Sequence, residues 1–469
     1  MEQENKETQE NKMGVKPVPS LLITMAIPLM FSLLIQSLYN IVDGIFVAKL
    51  SEKALTATSL AYPMQLLMVA IGVGTSVGLN AYLSHSVGEK DREKSSHIAT
   101  MGMILAIISA IVFMALGAFG AYTFAGLFTE DPDLADMCGL YLQICMVFCM
   151  GMFVQVMGQR FLQAVGDTVL SMTSLIIGAV VNMVLDPMFI FGFAFIPAMG
   201  IKGAAIATVI GQWCGGIVAI LLNLRYNREV RMDFRHFHFQ METVKRIYKV
   251  GLPTIIMQAM GSIMVSTMNI ILMPFSETAV AFFGVYYKLQ NFLFMPMNGL
   301  GQAAIPIVAY NLGAKKKERI QSVYTTIVPA AITAGIVGTL IFMIFPKQLL
   351  LLFSASDTLL AMGVPALRII SATFVFSSLT TVLGYSASGL GNGIINMLGT
   401  ALRQFIIYVP VTWVMAEFGG MELVWYACWI AEICAVAYSA LSVRGLYRKV
   451  VSSPIAEDNS AEEPAMKNC

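Results

Sequence analysis

The stretch LLITMAIPLMFSLLIQSLYNIVDGIFV, residues 21–47, decides how the rest of the chain is read. As a helix it is about 40 Å long, enough to cross ~30 Å of hydrocarbon. Its one charged side chain is Asp43. A lone acid inside an apolar span costs several kcal/mol unless something in the fold compensates for it. Eleven more apolar runs follow, at 55–83, 97–125, 133–160, 168–193, 200–224, 248–273, 279–310, 321–345, 360–390, 394–418 and 422–447. The predicted fold class is therefore an all-α integral membrane protein of twelve transmembrane helices.

Composition agrees. Charged residues are 12% of the chain, against roughly 25% in a soluble protein, so most of the chain never meets water. Hydrophobic residues are 57% and mean hydropathy is +0.74. The formal net charge of +1 gives no ground for a nucleic-acid partner. No HExxH, CxxC or GxxxxGK[ST] occurs, which leaves zinc hydrolysis and P-loop ATP hydrolysis without support. No nucleophile–base pair appears at depth, so an enzyme is not expected. Nearly all of the seven cysteines lie in apolar runs and read as packing residues. No cofactor is expected, and no metal beyond a coupling Na⁺.

Lysine and arginine set the orientation. One set of loops holds Lys90, Arg92 and Lys94, then Arg225, Arg228, Arg231 and Arg235, then Lys315, Lys316, Lys317 and Arg319, and finally Arg444, Arg448 and Lys449. On the opposite side, Thr129–Asp136 carries no basic residue. The basic loops, and with them both termini, are expected in the cytoplasm of a cell with this chain in its inner membrane. The first twenty residues are polar and do not form a signal peptide. The expected organisation is a tail at 1–20, a six-helix lobe at 21–224, a basic linker at 225–247, a second lobe at 248–447 and a tail at 448–469.

The two lobes repeat. Pro28 pairs with Pro253 at a shift of 253 − 28 = 225, and the same register pairs Ser51 with Ser276, Tyr62 with Tyr287, Gln65 with Gln290, Gly74 with Gly299, Gly88 with Gly313, Lys90 with Lys315 and Gly166 with Gly391. An even number of spans per repeat makes both lobes enter the membrane in the same direction. They are then related by a pseudo-twofold axis along the membrane normal, with substrate expected between them near the midplane.

Polar side chains at depth mark the candidate site. Gln36, Asn40 and Asp43 fall on one face of the first span, and Asn182 and Asp186 on one face of the fifth. Tyr141 in the fourth span and Thr208 in the sixth lie at the same level. Two carboxylates with amide and hydroxyl neighbours can hold Na⁺ through oxygens, or share a proton; a fixed polar network that locks the helices is the other reading. Pro28 removes one backbone hydrogen bond and marks either a hinge or a static kink.

The second lobe departs from this pattern. At the 225 shift, Asp43 becomes Met268, Tyr141 becomes Ala366, Asn182 becomes Ile407 and Asp186 becomes Val411. Lys288, Arg368, Arg403 and Glu432 lie at depth instead. Glu432 is expected to pair with one of the three bases, as a structural salt bridge or as part of drug binding or proton coupling. Met260, Met264 and Met268 share a face of the seventh span, where flexible, polarizable side chains suit a promiscuous pocket. A cavity between acidic and greasy walls suits a flat lipophilic cation.

These motifs together resemble the multidrug and toxic compound extrusion (MATE) family, in its DinF-like bacterial branch near the MepA-type members. The resemblance covers about residues 17–447. It rests on Ile27-Pro28 with Asp43, Gly88-Glu-Lys-Asp-Arg92, Asn182-Met-Val-Leu-Asp-Pro187, Gly200-Ile-Lys-Gly-Ala-Ala-Ile-Ala-Thr208, Met295-Pro-Met-Asn-Gly-Leu-Gly-Gln302 and Pro306-Ile-Val-Ala-Tyr-Asn-Leu-Gly313. It implies an antiporter in the lipid bilayer, exporting amphipathic, mostly cationic compounds by alternating access in exchange for H⁺ or Na⁺; a monomer is expected. It further implies that Asp43, Tyr141, Asn182, Asp186 and Thr208 surround the coupling ion, with a bend at Pro28 during the switch. Some relatives carry an acid in the seventh span; Met260-Gly261-Ser262 departs from that here. The runner-up is a lipid-linked saccharide flippase of the same two-lobe architecture, kept open by Lys288, Arg368 and Arg403. A major-facilitator transporter, faintly resembled by Gly88–Arg92, leaves Asn182 and Asp186 without a reason.

The orientation is tested by single cysteines in a background without other reactive thiols. A cysteine at position 131 is expected to react with an impermeant thiol reagent on intact cells, and one at position 235 to be protected. Labelling at 235 but not at 131 would invert the topology.

Overall fold

The computed structural model describes residues 10–193, 196–235, 237–353 and 356–452. Most of the two expected tails lies outside them. A short helix, α1 (Lys12–Val15), precedes the first lobe. That lobe consists of α2 (Val18–Leu50), α3 (Glu52–Gly88), α4 (Arg92–Gly126), α5 (Pro132–Val147), α6 (Met150–Ala164), α7 (Thr168–Phe191) and α8 (Ile201–Tyr226). The second consists of α9 (Met241–Leu272), α10 (Glu277–Gly313), α11 (Lys317–Ile344), the short α12 (Pro346–Leu351), α13 (Asp357–Ser371), α14 (Phe374–Gly389), α15 (Gly393–Ala401), a π-helical turn at Leu402–Ile406, α16 (Tyr408–Val424) and α17 (Ala427–Tyr447). Among the described residues ten helices are long and apolar enough to span a membrane, and two bent pairs bring the number to twelve.

The bends are new relative to the sequence reading. α5 and α6 meet at 47°, α13 and α14 at 49°, at breaks that contain neither Gly nor Pro. A broken helix frees backbone carbonyls, and hydrocarbon offers them no donor. Side chains do so instead. Trp213 Nε1 of α8 donates to the Phe148 carbonyl at 3.2 Å. Around the second break, Thr339 Oγ1 of α11 donates to the Ser371 carbonyl at 2.7 Å, and Trp429 Nε1 of α17 to that of Ile369 at 3.1 Å.

The repeat reaches the backbone. Ser51 and Ser276 cap α3 and α10, accepting from the Ala54 amide at 3.0 Å and the Thr278 amide at 3.1 Å. Lys90 and Lys315 occupy the same left-handed turn conformation, φ 63° and 59°. Both are uncommon for residues with a Cβ, and both fall where the chain must reverse at the basic face.

The lobes meet through matched contacts. A Cβ at Gly88 would lie 2.0 Å from the Tyr310 carbonyl oxygen, and one at Gly313 2.0 Å from that of His85. Residue 310 is the repeat counterpart of 85. In the same way Gly74 faces Ile255 at 2.3 Å and Gly299 faces Met30 at 2.5 Å. These are the reciprocal contacts of a twofold interface. All lie towards the basic face, where residues 70–88 of α3 and 297–313 of α10 are largely buried. Towards the other face the lobes diverge: Tyr62 is 58% exposed and Phe292 63%, and a Cβ at Gly44 or Gly284 would meet nothing within 4 Å. A cleft therefore opens between the lobes on the face opposite the basic loops.

The segment around α1, expected as part of the polar tail at 1–20, straps the closed seam. Met13 is fully buried. Asn11 Nδ2 donates to the Val165 carbonyl at 3.2 Å, and Lys12 pairs with Asp167, both on the first lobe. On the second lobe Arg319 donates to the Met13 and Lys16 carbonyls at 2.9 and 2.7 Å, Asn311 to that of Met13 at 3.1 Å, and Lys316 pairs with Glu10.

The seam predicts a paired effect. Gly88→Ala and Gly313→Ala each force a Cβ into a carbonyl oxygen and are expected to cost roughly 1–3 kcal/mol by overpacking. Gly120→Ala, where nothing lies within 4 Å, is expected to be neutral or slightly stabilising. Thermal unfolding of the purified variants distinguishes them; equal melting temperatures for all three would refute the contact.

Candidate functional site

Five helices of the first lobe bring polar groups to one level. α7 contributes Asn182 and Asp186, one turn apart. Asn182 Nδ2 donates to Asp186 Oδ1 at 3.3 Å and to Thr208 Oγ1 of α8 at 3.4 Å. Glycine makes that approach possible: a Cβ at Gly211 of α8 would lie 2.8 Å from both the Asn182 Cβ and the Gly178 carbonyl oxygen. α2 supplies Asp43, whose carboxyl lies within hydrogen-bond reach of Asp186. The Tyr39 hydroxyl, one turn earlier, lies beside Thr208. Gln65 of α3 donates to the Tyr141 hydroxyl of α5 at 3.4 Å.

The site is deep. Asp186 is 0% exposed, while Asp43 is half-buried and so is the acid closer to the cleft. Three buried oxygens there have no hydrogen-bond donor: Asp43 Oδ1, Asn182 Oδ1 and Asp186 Oδ2. Buried polar atoms without partners are rare and each costs ~1–3 kcal/mol. A proton shared between the carboxyls, or a cation held by the surrounding oxygens, removes that cost; hard cations take such oxygen ligands.

The structure thus brings Asp43, Tyr141, Asn182, Asp186 and Thr208 together, and adds Tyr39 and Gln65. At 100° per residue Tyr39 and Asp43 lie about 40° apart on α2, a relation legible in the sequence. Gln36 and Asn40, expected on the supporting face, are exposed and make no side-chain hydrogen bond among the described residues. They lie on the other side of Asp43 from Tyr39. α2 passes through Pro28 as one helix, and Ser32 Oγ donates to the Pro28 carbonyl at 2.9 Å.

In the second lobe Glu432 of α17 pairs with Arg403 at 3.4 Å. Ser377 Oγ donates to the same Glu432 oxygen, and Arg403 also donates to Thr381 Oγ1 at 3.1 Å. Arg403 sits in the π-helical turn, which re-aims it into the lobe. Lys288 and Arg368, expected in this network, stand outside it. Both are exposed, and Arg368 donates to the Met343 carbonyl at 3.3 Å. The methionine face needs a similar correction. Met264 and Met268 are 5% and 0% exposed within the packed core, and only Met260 is half-buried. Their side chains fill the core instead of lining a cavity.

Another charge at depth escaped the sequence reading because it falls at the very end of a span. Arg160 of α6 is 7% exposed between the lobes. It donates to Gln163 at 2.7 Å, Gln302 of the other lobe at 3.3 Å and Ser76 at 3.4 Å. All are neutral acceptors, and no carboxylate lies within 4.0 Å among the described residues.

Comparison with known proteins follows the repeat. A family model described as MatE matches residues 28–188 and 253–414, more than half of the chain. The multidrug export protein MepA of Staphylococcus saprophyticus is 23% identical over 420 residues, covering 89% of this chain and 91% of that protein. MepA of Staphylococcus aureus strain N315 is 24% identical over 426 residues, covering 90% and 92%. Among solved structures, the outward-facing conformation of a multidrug resistance MATE family transporter of the MOP superfamily superposes with a TM-score of 0.87 at 22% identity, over 95% of this chain and 99% of that one. A MOP superfamily transporter from Pyrococcus furiosus does so with a TM-score of 0.86 at 22% identity, over 95% and 99%. At this identity the structural likeness is one of fold.

The Arg403–Glu432 pair yields a test by double-mutant cycle. Arg403→Leu leaves Glu432 buried beside only a hydroxyl and is expected to destabilise by roughly 3–5 kcal/mol. The joint Arg403→Leu and Glu432→Leu change removes the stranded charge and is expected to recover most of that loss. A double variant as unstable as the single one, in thermal unfolding, would show that the two residues act separately.

Proposed function

The chain belongs to the MatE family of multidrug export transporters, and from this premise we propose that it is a cation-coupled antiporter in which Asp43 and Asp186 carry H⁺ or Na⁺. The observation that carries the reading is the convergence of two carboxyls and an amide whose outward oxygens, Asp43 Oδ1, Asn182 Oδ1 and Asp186 Oδ2, are buried without a donor. Such a site is stable when a positive charge occupies it and strained when empty. An ion reaches it from the cleft by way of the half-buried Asp43.

The cargo that suits the cleft is an amphipathic, mostly cationic compound. Its charge is drawn towards the two acids, and its apolar rings towards aromatic side chains. A proton or Na⁺ at the acids cancels the attraction and favours release. Reciprocity then requires the drug to weaken ion binding by the same factor. The face that carries the basic loops is the cytoplasmic one, so the cleft opens to the outside. Reversal opens the Gly88–Gly313 seam, with Pro28 as the bend in α2. The multidrug export named for the MepA relatives supports this reading. The flippase reading loses ground, because the relatives are multidrug export proteins and the buried base Arg403 is neutralised by Glu432.

Purified protein in liposomes, loaded with a fluorescent lipophilic cation such as ethidium, tests the coupling. A pH or Na⁺ gradient is imposed one at a time, and one of them is expected to drive transport. Asp43→Asn and Asp186→Asn are each expected to reduce gradient-driven export at least about tenfold while the protein still inserts; tenfold corresponds to ~1.4 kcal/mol of lost coupling. Wild-type export by Asp43→Asn would remove these acids from the coupling mechanism.

A further inference from the structure

At the end of α8, on the basic face, the chain turns back through residues 224–231 and closes against the first turn of α4. A cavity of about 490 Å³ lies between them. Four guanidinium side chains line it, from Arg92, Arg225, Arg228 and Arg231, together with Ser96 and Glu229. None of the four arginines has a carboxylate within 4.0 Å among the described residues. The one acid of the lining is already engaged: Asn11 Nδ2 donates to both Glu229 oxygens, at 2.7 and 2.9 Å. The pocket thus presents four positive charges against one negative charge that is tied to the N-terminal strap.

A preference for basic loops on one face accounts for arginines in the linker. It does not account for four of them around one cavity. Guanidinium forks match phosphate oxygens in geometry and charge. A second observation separates a lipid from a free anion. Leu224, which lines the cavity and is 70% exposed, continues down α8 as Leu221, 58% exposed, and Ile217, 52% exposed. At spacings of three and four these form one apolar stripe, leading from the arginines into the hydrocarbon.

We infer that this pocket binds an anionic phospholipid of the adjacent leaflet, its phosphate among Arg92, Arg225, Arg228 and Arg231 and its acyl chains along Leu224, Leu221 and Ile217. The site lies apart from the acid pair of the first lobe. Because Glu229 also holds Asn11, the bound headgroup sits directly beside the strap that spans the two lobes.

Native mass spectrometry of the full-length protein, released from micelles containing phosphatidylglycerol and phosphatidylcholine in equal amounts, tests the assignment. Wild type is expected to retain phosphatidylglycerol in preference. The double variant Arg225→Gln/Arg228→Gln is expected to retain about tenfold less of it, since each basic residue near an anionic headgroup contributes several-fold in affinity. Arg444→Gln removes a basic-face charge of the other lobe and is expected to change nothing. If the double variant does not fold, the single Arg228→Gln is compared with Arg228→Lys, and a loss for glutamine of which lysine restores part is expected. Unchanged retention in the glutamine variants, or an equal loss in Arg444→Gln, overturns the site. Inorganic phosphate in excess is expected to leave the lipid bound; complete displacement would assign the pocket to a soluble anion and overturn the lipid.

Discussion

Hydrocarbon donates no hydrogen bonds and accepts none, and this constraint governs the two sharp bends between α5 and α6 and between α13 and α14. Where α5 breaks into α6, and α13 into α14, the freed carbonyls are met by Trp213, Thr339 and Trp429 from neighbouring helices. The bends are affordable only because those donors stand beside them. Where polar side chains enter the lobes, they do so in groups that answer one another. Three unanswered oxygens gather at Asp43, Asn182 and Asp186, whereas those of the second lobe, Glu432 Oε2 among them, are spread over six residues. An unmet demand for positive charge is thus concentrated, and the cluster in the first lobe borders the open cleft.

The two lobes solve the problem of buried charge in opposite ways. In the second, Glu432 carries its own counterion in Arg403, and the pair is electrically complete. In the first, two acids face each other across α2 and α7, and among the described residues no base pairs with either. The same frame, built twice, therefore holds one site that is finished and one that is not. Arg160 is a third arrangement, a cation between the lobes surrounded by neutral oxygens drawn from both.

Depth along the membrane normal was legible in the sequence; direction around a helix axis was not. Run length gave the twelve spans and the 225-residue register, because apolar length and repeated residues are linear properties of a chain. Level gave the meeting of Asp43, Tyr141, Asn182, Asp186 and Thr208. A residue's facing depends on which neighbour its helix packs against. In an all-apolar span no polar stripe announces it, and so Lys288 and Arg368 read as neighbours of Arg403 although they are exposed and stand apart from it. Met264 and Met268 likewise read as a cavity face and pack into the core. The bends had no Gly or Pro to mark them, since their cause is tryptophans and a threonine on other helices. The strap was missed for a related reason: Asn11 and Lys12 are polar as any tail is polar, and only their partners on both lobes give them a place.

Gly88 touches residue 310 and Gly313 touches residue 85, so each contact is the other turned about the axis. A chain that arose by doubling one ancestral six-helix unit inherits such positions under a peculiar bond. A change in either copy alters a surface that the other copy must still fit, whereas positions away from the axis answer only to their own lobe. Between the two copies the residue accordingly differs where Asp43 and Met268 stand, and is glycine in both where the lobes meet. At the seam, a side chain added to either copy would collide with the backbone of the other.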